Sequence, residues 1–405
     1  MPISHLSVNR NSHVSAALQA IVASACGLAC LASVVCFLLV HVDRGMAGNR
    51  DFVVYWATGR QLVQHGNPYD AEVLRGIEHT AGLPSRYSVG YMRNPPWSLP
   101  LVWPLGLLSL RAASIAASLG LIAAFIASVR MLLGLYECRN RVVRLLAWSF
   151  APALICLIWG QTSLLVLLGF VVFLRFYRTR PILAGAGLWL CALKPHLLLP
   201  LGVILVAWIV LSKSYRILFG TGAALLVSAA ATLAIDPHAW NEYVRMAGYS
   251  GFETDPIPSL GMLLRTHVAP GVIALQFVPA ALGCAWAIVY FWPRRHNWDW
   301  AREGCLLLLV SVLAAPYAYL NDHVLVLPAL VFAASFASSR SYFLALAVAS
   351  AVLEVAFFAN RLTPAPFYWA TVAAGLFWIA WYVAATRLGS HAADAVAKIA
   401  PVHSV

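Results

Sequence analysis

A few ionisable side chains interrupt long apolar stretches of the sequence, and their chemistry is the first guide to a site. Lys194 and His196 lie near the middle of the apolar run 182–212, and Asp322 and His323 follow another apolar run. An ionisable group in such surroundings is costly unless it faces a cavity or a charged partner. A cavity lined by lysine, histidine and arginine side chains would suit a phosphate group.

A further candidate is a carboxylate, Asp51, in the stretch 49–70. Read at helical spacing, this stretch predicts a short amphipathic helix that lies in a membrane interface, with aromatic side chains at headgroup depth. Its apolar face consists of Phe52, Tyr55, Trp56, Gly59, Leu62 and Val63, and its polar face of Thr58, Arg60, Gln61 and Gln64. Asp51 falls in the first turn, and Asn67-Pro68 ends the helix because proline cannot continue it.

The composition indicates a membrane protein. The chain has 405 residues, of which 61% are hydrophobic and only 10% are charged, and its mean hydropathy is +0.79. Soluble domains carry about a quarter charged residues, whereas repeated apolar runs near bilayer length explain this composition. The net charge is +12, but the basic residues cluster in short loops between apolar runs. They form no basic and aromatic groove, so we expect membrane lipids and no nucleic acid as partners.

The alternation of basic and less basic loops predicts about twelve transmembrane helices. Residues 14–40 carry no charge and form the predicted first crossing, which starts from a cytoplasmic N-terminus. Residues 41–94 and 236–269 form two predicted outer loops, the first of which carries the amphipathic helix. We therefore predict one all-α polytopic domain over 1–405, in a plasma membrane of the bacterial inner-membrane type, with both termini cytoplasmic.

Breaks in the apolar runs point to the outer face as the place of any chemistry. The run 182–212 is long enough for two crossings and is expected to turn at Lys194-Pro195-His196. The short run 99–110 is interrupted by Pro104, and a broken helix at membrane depth needs protein or a cavity to satisfy its backbone. The polar outliers on the predicted outer face include Asp51, Arg93, Lys194, His196, Arg265, Asp322 and His323, whereas the inner loops hold mostly arginine.

The residue types give no reason to expect a metal ion, a cofactor or a disulfide framework. Seven of the eight cysteines lie in apolar segments, and none of them forms a CxxC pair. No dense carboxylate cluster demands a metal ion. No glycine-rich loop of the nucleotide-binding kind is present either.

Several short motifs together resemble glycosyltransferase family 87, whose members are integral-membrane enzymes of the GT-C superfamily. The first motif is Asp51-Phe52 followed by Tyr55-Trp56 and then Gly66-Asn67-Pro68-Tyr69. The later motifs are Asn94-Pro95-Pro96, Pro104-Leu105, Gly160-Gln161, Lys194-Pro195-His196, Ser259-Leu260 with Arg265, and Pro316-Tyr317 with Asp322-His323. Their order and spacing run over nearly the whole chain. The family usually has an aromatic residue before the last histidine, where this chain has Asn321-Asp322.

This resemblance implies a GT-C fold and a polyprenyl-phosphate sugar donor, with mannose as the sugar by family analogy. It implies transfer to a lipid or glycan acceptor on the non-cytoplasmic face, with inversion at the anomeric carbon. It also implies that Asp51 is the general base on the acceptor hydroxyl, which needs such a group within hydrogen-bond reach. The residues that we expect to bind substrate are Tyr55, Trp56, Arg93, Gln161, Lys194, His196, Arg265, Asp322 and His323.

The same residues have simpler interpretations. Asp51 could be a carboxylate at a helix N-terminus, where it interacts favourably with the helix dipole. Lys194 could be a lysine whose side chain extends from a helix end to the membrane interface. The histidines could be interfacial hydrogen-bonding groups, and the aromatic residues could belong to the interface belt. Arg93 and Arg265 could be structural or lipid-headgroup contacts. Gln161 could line a cavity or cap a helix.

A polytopic transporter or a flippase for lipid-linked sugars is the alternative function. Transporters more typically have two related halves with broken helices at matching positions. In this chain the long outer loops lie early and late without such symmetry. A scaffold without catalytic function would not need costly polar groups concentrated on one face. We therefore expect a membrane glycosyltransferase.

Overall fold

The computed structural model describes residues 50–83, 90–138, 140–249, 257–336, 340–358 and 369–399, together with Ile21. Within these residues the chain is all helical, with 82% in helix and no strand. The all-α class is therefore confirmed for the described part of the chain. Apart from Ile21, the predicted first crossing 14–40 lies outside the described residues.

The described residues form a series of α-helices joined by short turns. The first six are α1 (Arg50–Val63), α2 (Ala71–Thr80), α3 (Leu99–Gly106), α4 (Leu110–Leu135), α5 (Arg141–Trp148) and α6 (Ala151–Trp159). The next six are α7 (Ser163–Phe176), α8 (Pro181–Cys191), α9 (Leu199–Ser212), α10 (Tyr215–Ile235), α11 (Ala239–Tyr249) and α12 (Leu260–His267). The last are α13 (Val278–Phe291), α14 (Trp300–Ala314), α15 (Leu327–Phe336), α16 (Arg340–Phe358) and α17 (Trp369–Ile399). Short 3-10 turns at Pro96–Ser98, Pro195–Leu198, Ile273–Phe277 and Leu320–Val326 lead into α3, α9, α13 and α15.

Six helical stretches in the described part of the chain are long and apolar enough to cross a membrane. They are Leu110–Leu135, Arg141–Trp159, Pro195–Ser212, Tyr215–Ile235, Ile273–Asn297 and Trp369–Arg387. Shorter apolar helices of 10–17 residues occur at Ser163–Phe176, Pro181–Cys191, Leu320–Ser335 and Ser341–Ala356. These stretches coincide with predicted crossings and indicate a membrane protein. The number of about twelve crossings stays a prediction.

Apolar side chains cover the outside of several helices. Leu226 and Val227 on α10 are 72% and 71% exposed, and Leu282 and Val289 on α13 are 66% and 73% exposed. Large apolar surfaces of this kind are unfavourable in water, whereas the hydrocarbon chains of a bilayer can cover them. We therefore expect the outer faces of α10 and α13 to contact lipid.

Two hydrophobic cores hold the described helices together. The larger core extends from α4 to α9 and onward to α14, α15 and α17, and it contains the fully buried Trp300 and Trp378. The smaller core joins α1, α2 and α3 to α11. At its edge the rings of Tyr69 and Tyr243 meet with centroids 5.3 Å apart. The two predicted outer loops therefore pack against each other.

Helix α1 forms where the sequence predicts it, with Asp51 in its first turn. Phe52 and Tyr55 are buried, as expected for its apolar face. Thr58 and Gln61, which the periodicity assigns to a polar face, are also buried, so the prediction of an exposed polar face is wrong at these positions. The reason is that α1 contacts α2, α3, α4 and α6, and protein surrounds it on more than one side.

Two glycines allow α1 and α3 to touch. A Cβ atom on Gly59 would lie 2.3 Å from the carbonyl oxygen of Val102, and one on Gly106 would lie 2.1 Å from the carbonyl oxygen of Gly59. Non-bonded atoms do not approach this closely, so a side chain at either position would push the two helices apart. The predicted short run 99–110 thus contains a separate helix, α3, that presses against α1.

Gly106→Ala is expected to lower the thermal unfolding temperature of the protein in detergent. The added methyl group overpacks the contact of α1 with α3, which costs about 1–3 kcal/mol. The matched control is Gly76→Ala in α2, where no atom lies within 4 Å of the added Cβ. That control is expected to leave the unfolding temperature unchanged or slightly raised. Equal unfolding temperatures for Gly106→Ala and the wild type would contradict the close contact.

Candidate active site

Four parts of the chain meet at one place. They are the first turn of α1, the turn 160–162 between α6 and α7, the break 192–194 after α8, and the segment 316–323 before α15. The break after α8 occurs where the sequence predicts it, since α8 ends at Cys191 and the next turn begins at Pro195. Each of these parts contributes a polar side chain to one cluster.

Asp51, Gln161 and Lys194 form a continuous row of hydrogen bonds. Gln161 Nε2 donates to Asp51 Oδ2 at 2.5 Å. Lys194 Nζ donates to Oε1 of the same glutamine at 2.8 Å. The structure therefore brings together three of the predicted site residues that are far apart in sequence.

Lys194 also belongs to a buried ion pair. Its amine lies 2.7 Å from Asp322 Oδ1 and donates to Ser163 Oγ at 2.8 Å. Ser163 Oγ in turn donates to Asp322 Oδ1 at 2.5 Å. The side chains of Lys194 and Asp322 are only 8% and 1% exposed. A lysine ammonium has three N–H donors, and Gln161, Ser163 and Asp322 each accept one of them, so this geometry leaves none for a substrate.

The electrostatics of the cluster keep Lys194 charged and Tyr55 neutral. Burial alone would lower the pKa of the Lys194 amine, but the adjacent Asp322 carboxylate, together with the nearby hydroxyl groups of Tyr55 and Tyr317, raises that pKa above its usual value. Burial, opposed by the Lys194 charge, raises the pKa of Tyr55 to about 12. Among the described residues, no group of three or more His, Cys, Asp or Glu side chains could hold a metal ion.

Gly160 determines where Gln161 points. It follows α6 in the left-handed conformation, with a φ of 69°, which favours glycine. A Cβ atom there would lie 2.6 Å from Phe52 Cβ, so α1 can approach this turn only because the position has no side chain. The backbone N–H of Gln161 donates to the Cys156 carbonyl at 2.9 Å and fixes the turn. The Gln161 side chain consequently reaches Asp51.

Arg93, His196 and Tyr317 form a cationic and aromatic group beside the cluster, which we call the aromatic edge. The His196 and Tyr317 rings stack with centroids 4.4 Å apart. The Arg93 guanidinium lies 5.9 Å from the Tyr317 ring centroid. Tyr317 interacts electrostatically with both Lys194 and Asp51, so the aromatic edge adjoins the cluster. Within the described residues, His196 Nε2 is buried without a hydrogen-bond partner.

Two residues that the sequence predicts to bind substrate contact other helices rather than the polar cluster. Trp56 Nε1 donates to the Leu108 carbonyl at 3.1 Å, so Trp56 faces the end of α3 rather than the cluster. His323 is 3% exposed, and its Nδ1 accepts a hydrogen bond from Trp378 of α17 at 3.3 Å. His323 is therefore packed against the larger core, which contains Trp378.

Arg265 is buried on α12, which is attached to the turn that carries Tyr317. Ser259 Oγ, at the start of α12, donates to the Pro316 carbonyl at 3.1 Å. Gln276 Nε2 donates to the same carbonyl. Arg265 is 5% exposed. The structure thus places this predicted residue on a helix that supports the aromatic edge.

Ser163 and Tyr317 belong to this region but are not among the residues that the sequence predicts to be catalytic or to bind substrate. Ser163 is the polar first residue of the otherwise apolar helix α7, two positions after Gln161. That polar start beside a candidate glutamine is the signal that could have identified it. Tyr317 belongs to a motif that resembles the family, but its stacking on His196 depends on a contact between distant segments.

An apolar cavity of about 250 Å³ lies next to the polar cluster. Part of its wall is formed by residues adjacent in sequence to Asp51, Gln161 and Lys194, namely Phe52, Gly160, Thr162 and Leu193. The rest includes residues of α3 and α4, of which Leu101, Ala116 and Gly120 are exposed on the outside of the bundle. The cluster and the cavity therefore share the same chain segments, and exposed residues of α3 and α4 form part of the cavity wall.

These features define a helical membrane protein with a buried polar cluster beside an apolar cavity. The sequence profile of glycosyltransferase family 87 matches residues 91–316. This range covers more than half of the 405 residues, and the chain belongs to glycosyltransferase family 87. It is a glycosyltransferase, and a GT-C placement is consistent with that membership. Comparisons with curated proteins and with solved structures gave no match.

Family membership decides between the functions that the sequence leaves open. A glycosyltransferase family supports the enzyme, and we therefore set aside the transporter or flippase. The matched range 91–316 includes five of the predicted site residues, namely Arg93, Gln161, Lys194, His196 and Arg265. Asp51 and Asp322 lie outside it, and they meet the matched residues through the hydrogen bonds described above.

Removing one partner of the Lys194–Asp322 pair is expected to destabilise the protein. Lys194→Met leaves a buried carboxylate without its cation, so the free energy of unfolding should fall by about 3–5 kcal/mol. The double variant Lys194→Met/Asp322→Asn removes both charges and should recover much of that loss. Thermal unfolding in detergent compares the two. If the double variant unfolded at the same temperature as Lys194→Met, the ion pair would not be the cause.

Proposed function

We propose that this glycosyltransferase transfers a hexosyl group, mannose by family analogy, from a polyprenyl-phosphate donor to a hydroxyl group of a lipid or glycan acceptor. The reaction takes place on the non-cytoplasmic side of a bacterial-type plasma membrane, and both termini are cytoplasmic. The observation that carries the proposal is the position of Asp51, which Gln161 holds beside both the apolar cavity and the aromatic edge. These surroundings match a substrate that contains a sugar, a phosphate and a hydrocarbon chain.

Asp51 acts as the general base on the acceptor. Its carboxylate takes the proton of the acceptor hydroxyl while that oxygen forms a bond to the anomeric carbon of the sugar. The bond from the anomeric carbon to the phosphate oxygen breaks, and its electron pair leaves with the polyprenyl phosphate. Attack from the face opposite the leaving group inverts the anomeric carbon. A carboxylate within hydrogen-bond reach is well suited to this transfer.

The aromatic edge holds the donor phosphate. Arg93 supplies a fixed positive charge with several N–H donors, and His196 supplies a ring nitrogen that lacks a hydrogen-bond partner in the described structure. Such groups stabilise the charge that develops on a leaving phosphate in a site shielded from water. Lys194 and Asp322 act through each other rather than on the phosphate, because all three N–H groups of Lys194 are already used.

The apolar cavity takes the hydrocarbon chain next to the phosphate. Its wall shares the segments that carry Asp51 and Gln161, so a chain in the cavity would bring the adjoining phosphate and sugar to the polar cluster. The exposed residues of α3 and α4 in its wall allow the remainder of a long chain to stay in the bilayer. Tyr55, which lines the cavity and interacts with both Asp51 and Lys194, is the aromatic side chain best placed to contact the sugar.

Asp51→Asn is expected to abolish sugar transfer, because an amide cannot accept the hydroxyl proton. Purified enzyme in proteoliposomes receives polyprenyl-phosphate mannose and a lipid extract from the cells that produce the protein, and mass spectrometry follows the glycolipid product. The rate should fall by about 10²–10⁴-fold. The matched control is Asp70→Asn, since Asp70 caps α2 and asparagine caps a helix equally well.

Two outcomes would contradict the proposal at different points. Transfer at the wild-type rate by a folded Asp51→Asn variant would remove Asp51 as the base. If the enzyme used a nucleotide-linked mannose as well as the lipid-linked donor, the proposal that the donor is a polyprenyl phosphate would be wrong.

Gly120→Phe is expected to raise KM for the polyprenyl-phosphate donor, because the new ring occupies space that the chain needs. Gly120 lines the cavity, and no atom lies within 4 Å of a Cβ added there. Since each buried methylene contributes ~0.8 kcal/mol, loss of two raises KM about tenfold. The matched control is Gly134→Phe on the same helix, where the added Cβ also has open space. Equal KM values for the two variants would contradict a chain in this cavity.

A further inference from the structure

We propose that Gln161 is a positioning residue for Asp51 and that Lys194 and Asp322 fix the direction of its amide. We call Asp322, Lys194 and Gln161 the relay. The inference rests on the proposed function, in which Asp51 is the general base. It assigns to the relay an effect on Asp51 that requires no contact with substrate.

The chemistry of lysine decides which way the Gln161 amide points. An ammonium group can only donate hydrogen bonds, so the amide atom 2.8 Å from Lys194 Nζ must be the oxygen, Oε1. The amide nitrogen therefore faces Asp51 and donates to Oδ2 at 2.5 Å. Without the lysine, the amide could turn over and present its oxygen to the carboxylate, which would repel Asp51.

The far end of the relay is anchored to the backbone. Asp322 Oδ2 accepts a hydrogen bond from the backbone N–H of Tyr319 at 2.9 Å. Asp322 Oδ1 accepts from Lys194 at 2.7 Å and from Ser163 at 2.5 Å. Gln161, Lys194 and Asp322 are 9%, 6% and 1% exposed, so water cannot easily replace these bonds. The position of the Gln161 amide is therefore set by the fold.

In the relay, Gln161 lies between Lys194 and Asp51. A lysine in contact with a carboxylate favours its charged form and would make Asp51 a weaker base. Here Asp322 balances the charge of Lys194, and the neutral amide of Gln161 lies between Lys194 and Asp51. Within the relay, the neutral Gln161 amide therefore contacts the Asp51 carboxylate in place of the Lys194 charge.

The charged and titratable groups around Asp51 make the relay measurable by pH. Tyr55 and Tyr317 both interact electrostatically with Asp51 and Lys194. Burial raises the pKa of both tyrosines, although the Lys194 charge opposes this effect. The pKa of Tyr55 is raised to about 12. They therefore stay neutral near pH 7, while Arg93 beside Tyr317 stays charged. His196, which stacks on Tyr317, is the same in every variant compared. A difference in the acid limb between the wild type and a Gln161 variant therefore reports the effect of position 161 on Asp51.

The test is the pH dependence of kcat for Gln161→Glu, with polyprenyl-phosphate mannose as donor. Glutamate has the same shape, but its second oxygen would meet Asp51 Oδ2, and the two carboxylates would keep a proton to higher pH. We expect the acid limb to move up by about one pH unit or more, with little change in KM for the donor. The matched control is Gln64→Glu, which adds the same charge at the exposed position after α1 and should leave the acid limb in place.

Gln161→Ala provides a second measurement that does not depend on an added charge. Loss of the amide lets the Asp51 carboxylate shift, and a misplacement of this kind costs roughly 10²-fold in kcat. KM for the donor should stay nearly the same. A folded Gln161→Ala variant with wild-type kcat, or a folded Gln161→Glu variant with the wild-type acid limb, would overturn the relay. A Gln161→Ala chain that fails to fold would overturn it as well, because Gln161 would then serve the fold.

The Asp51→Asn variant separates this inference from the proposed function. If Asp51→Asn still transfers the sugar, Asp51 is not the general base, and the proposed role of Gln161 in positioning it is wrong as well. If Asp51→Asn is inactive while both Gln161 variants behave like the wild type, only the relay is wrong.

Discussion

The ion pair between Lys194 and Asp322 is the interaction on which the rest of the site depends. Two buried charges are costly to desolvate, and their attraction compensates only when further hydrogen bonds satisfy both groups. Ser163, Gln161 and the Tyr319 backbone supply those bonds. Because these groups come from different segments, the arrangement that makes the pair tolerable also joins the start of α7, the break after α8 and the turn before α15. The Gln161 side chain connects Asp51 to this centre.

The architecture around the ion pair explains why the Asp51 carboxylate and an apolar cavity lie so close together. The turn after α6 presents Gln161 to the polar cluster and its two neighbours, Gly160 and Thr162, to the cavity. The first turn of α1 divides in the same way between Asp51 and Phe52. Single turns of the chain have one polar and one apolar side, so the polar cluster and the apolar cavity share the same backbone segments.

The sequence predicts the helices and several site residues because the relevant signals are local. Apolar runs mark the helices, and Lys194 and Asp322 are conspicuous because they interrupt such runs. The sequence does not reveal that these two pair with each other, since 128 positions separate them. Lys194 was therefore expected to face a phosphate, whereas its N–H groups are all used within the protein.

The burial of Thr58 and Gln61 has a related cause. Helical periodicity separates one face from another, but it does not report how many neighbours surround a helix. The core position of His323 is equally hidden, because its partner Trp378 comes from α17. The sequence pattern thus identifies polar residues in apolar surroundings. Only the fold shows which of them form hydrogen bonds or ion pairs with one another.

The contact between Gly59 and Gly106 has a consequence for distance. Asp51 and Gly59 lie on the same rigid helix, about 12 Å apart along its axis, and Gly59 touches the helix that forms the outer wall of the cavity. The spacing of Asp51 from α3 is therefore set by about two turns of one helix and one backbone contact. Any change at Gly59 or Gly106 that separates the two helices would also move the cavity wall relative to Asp51.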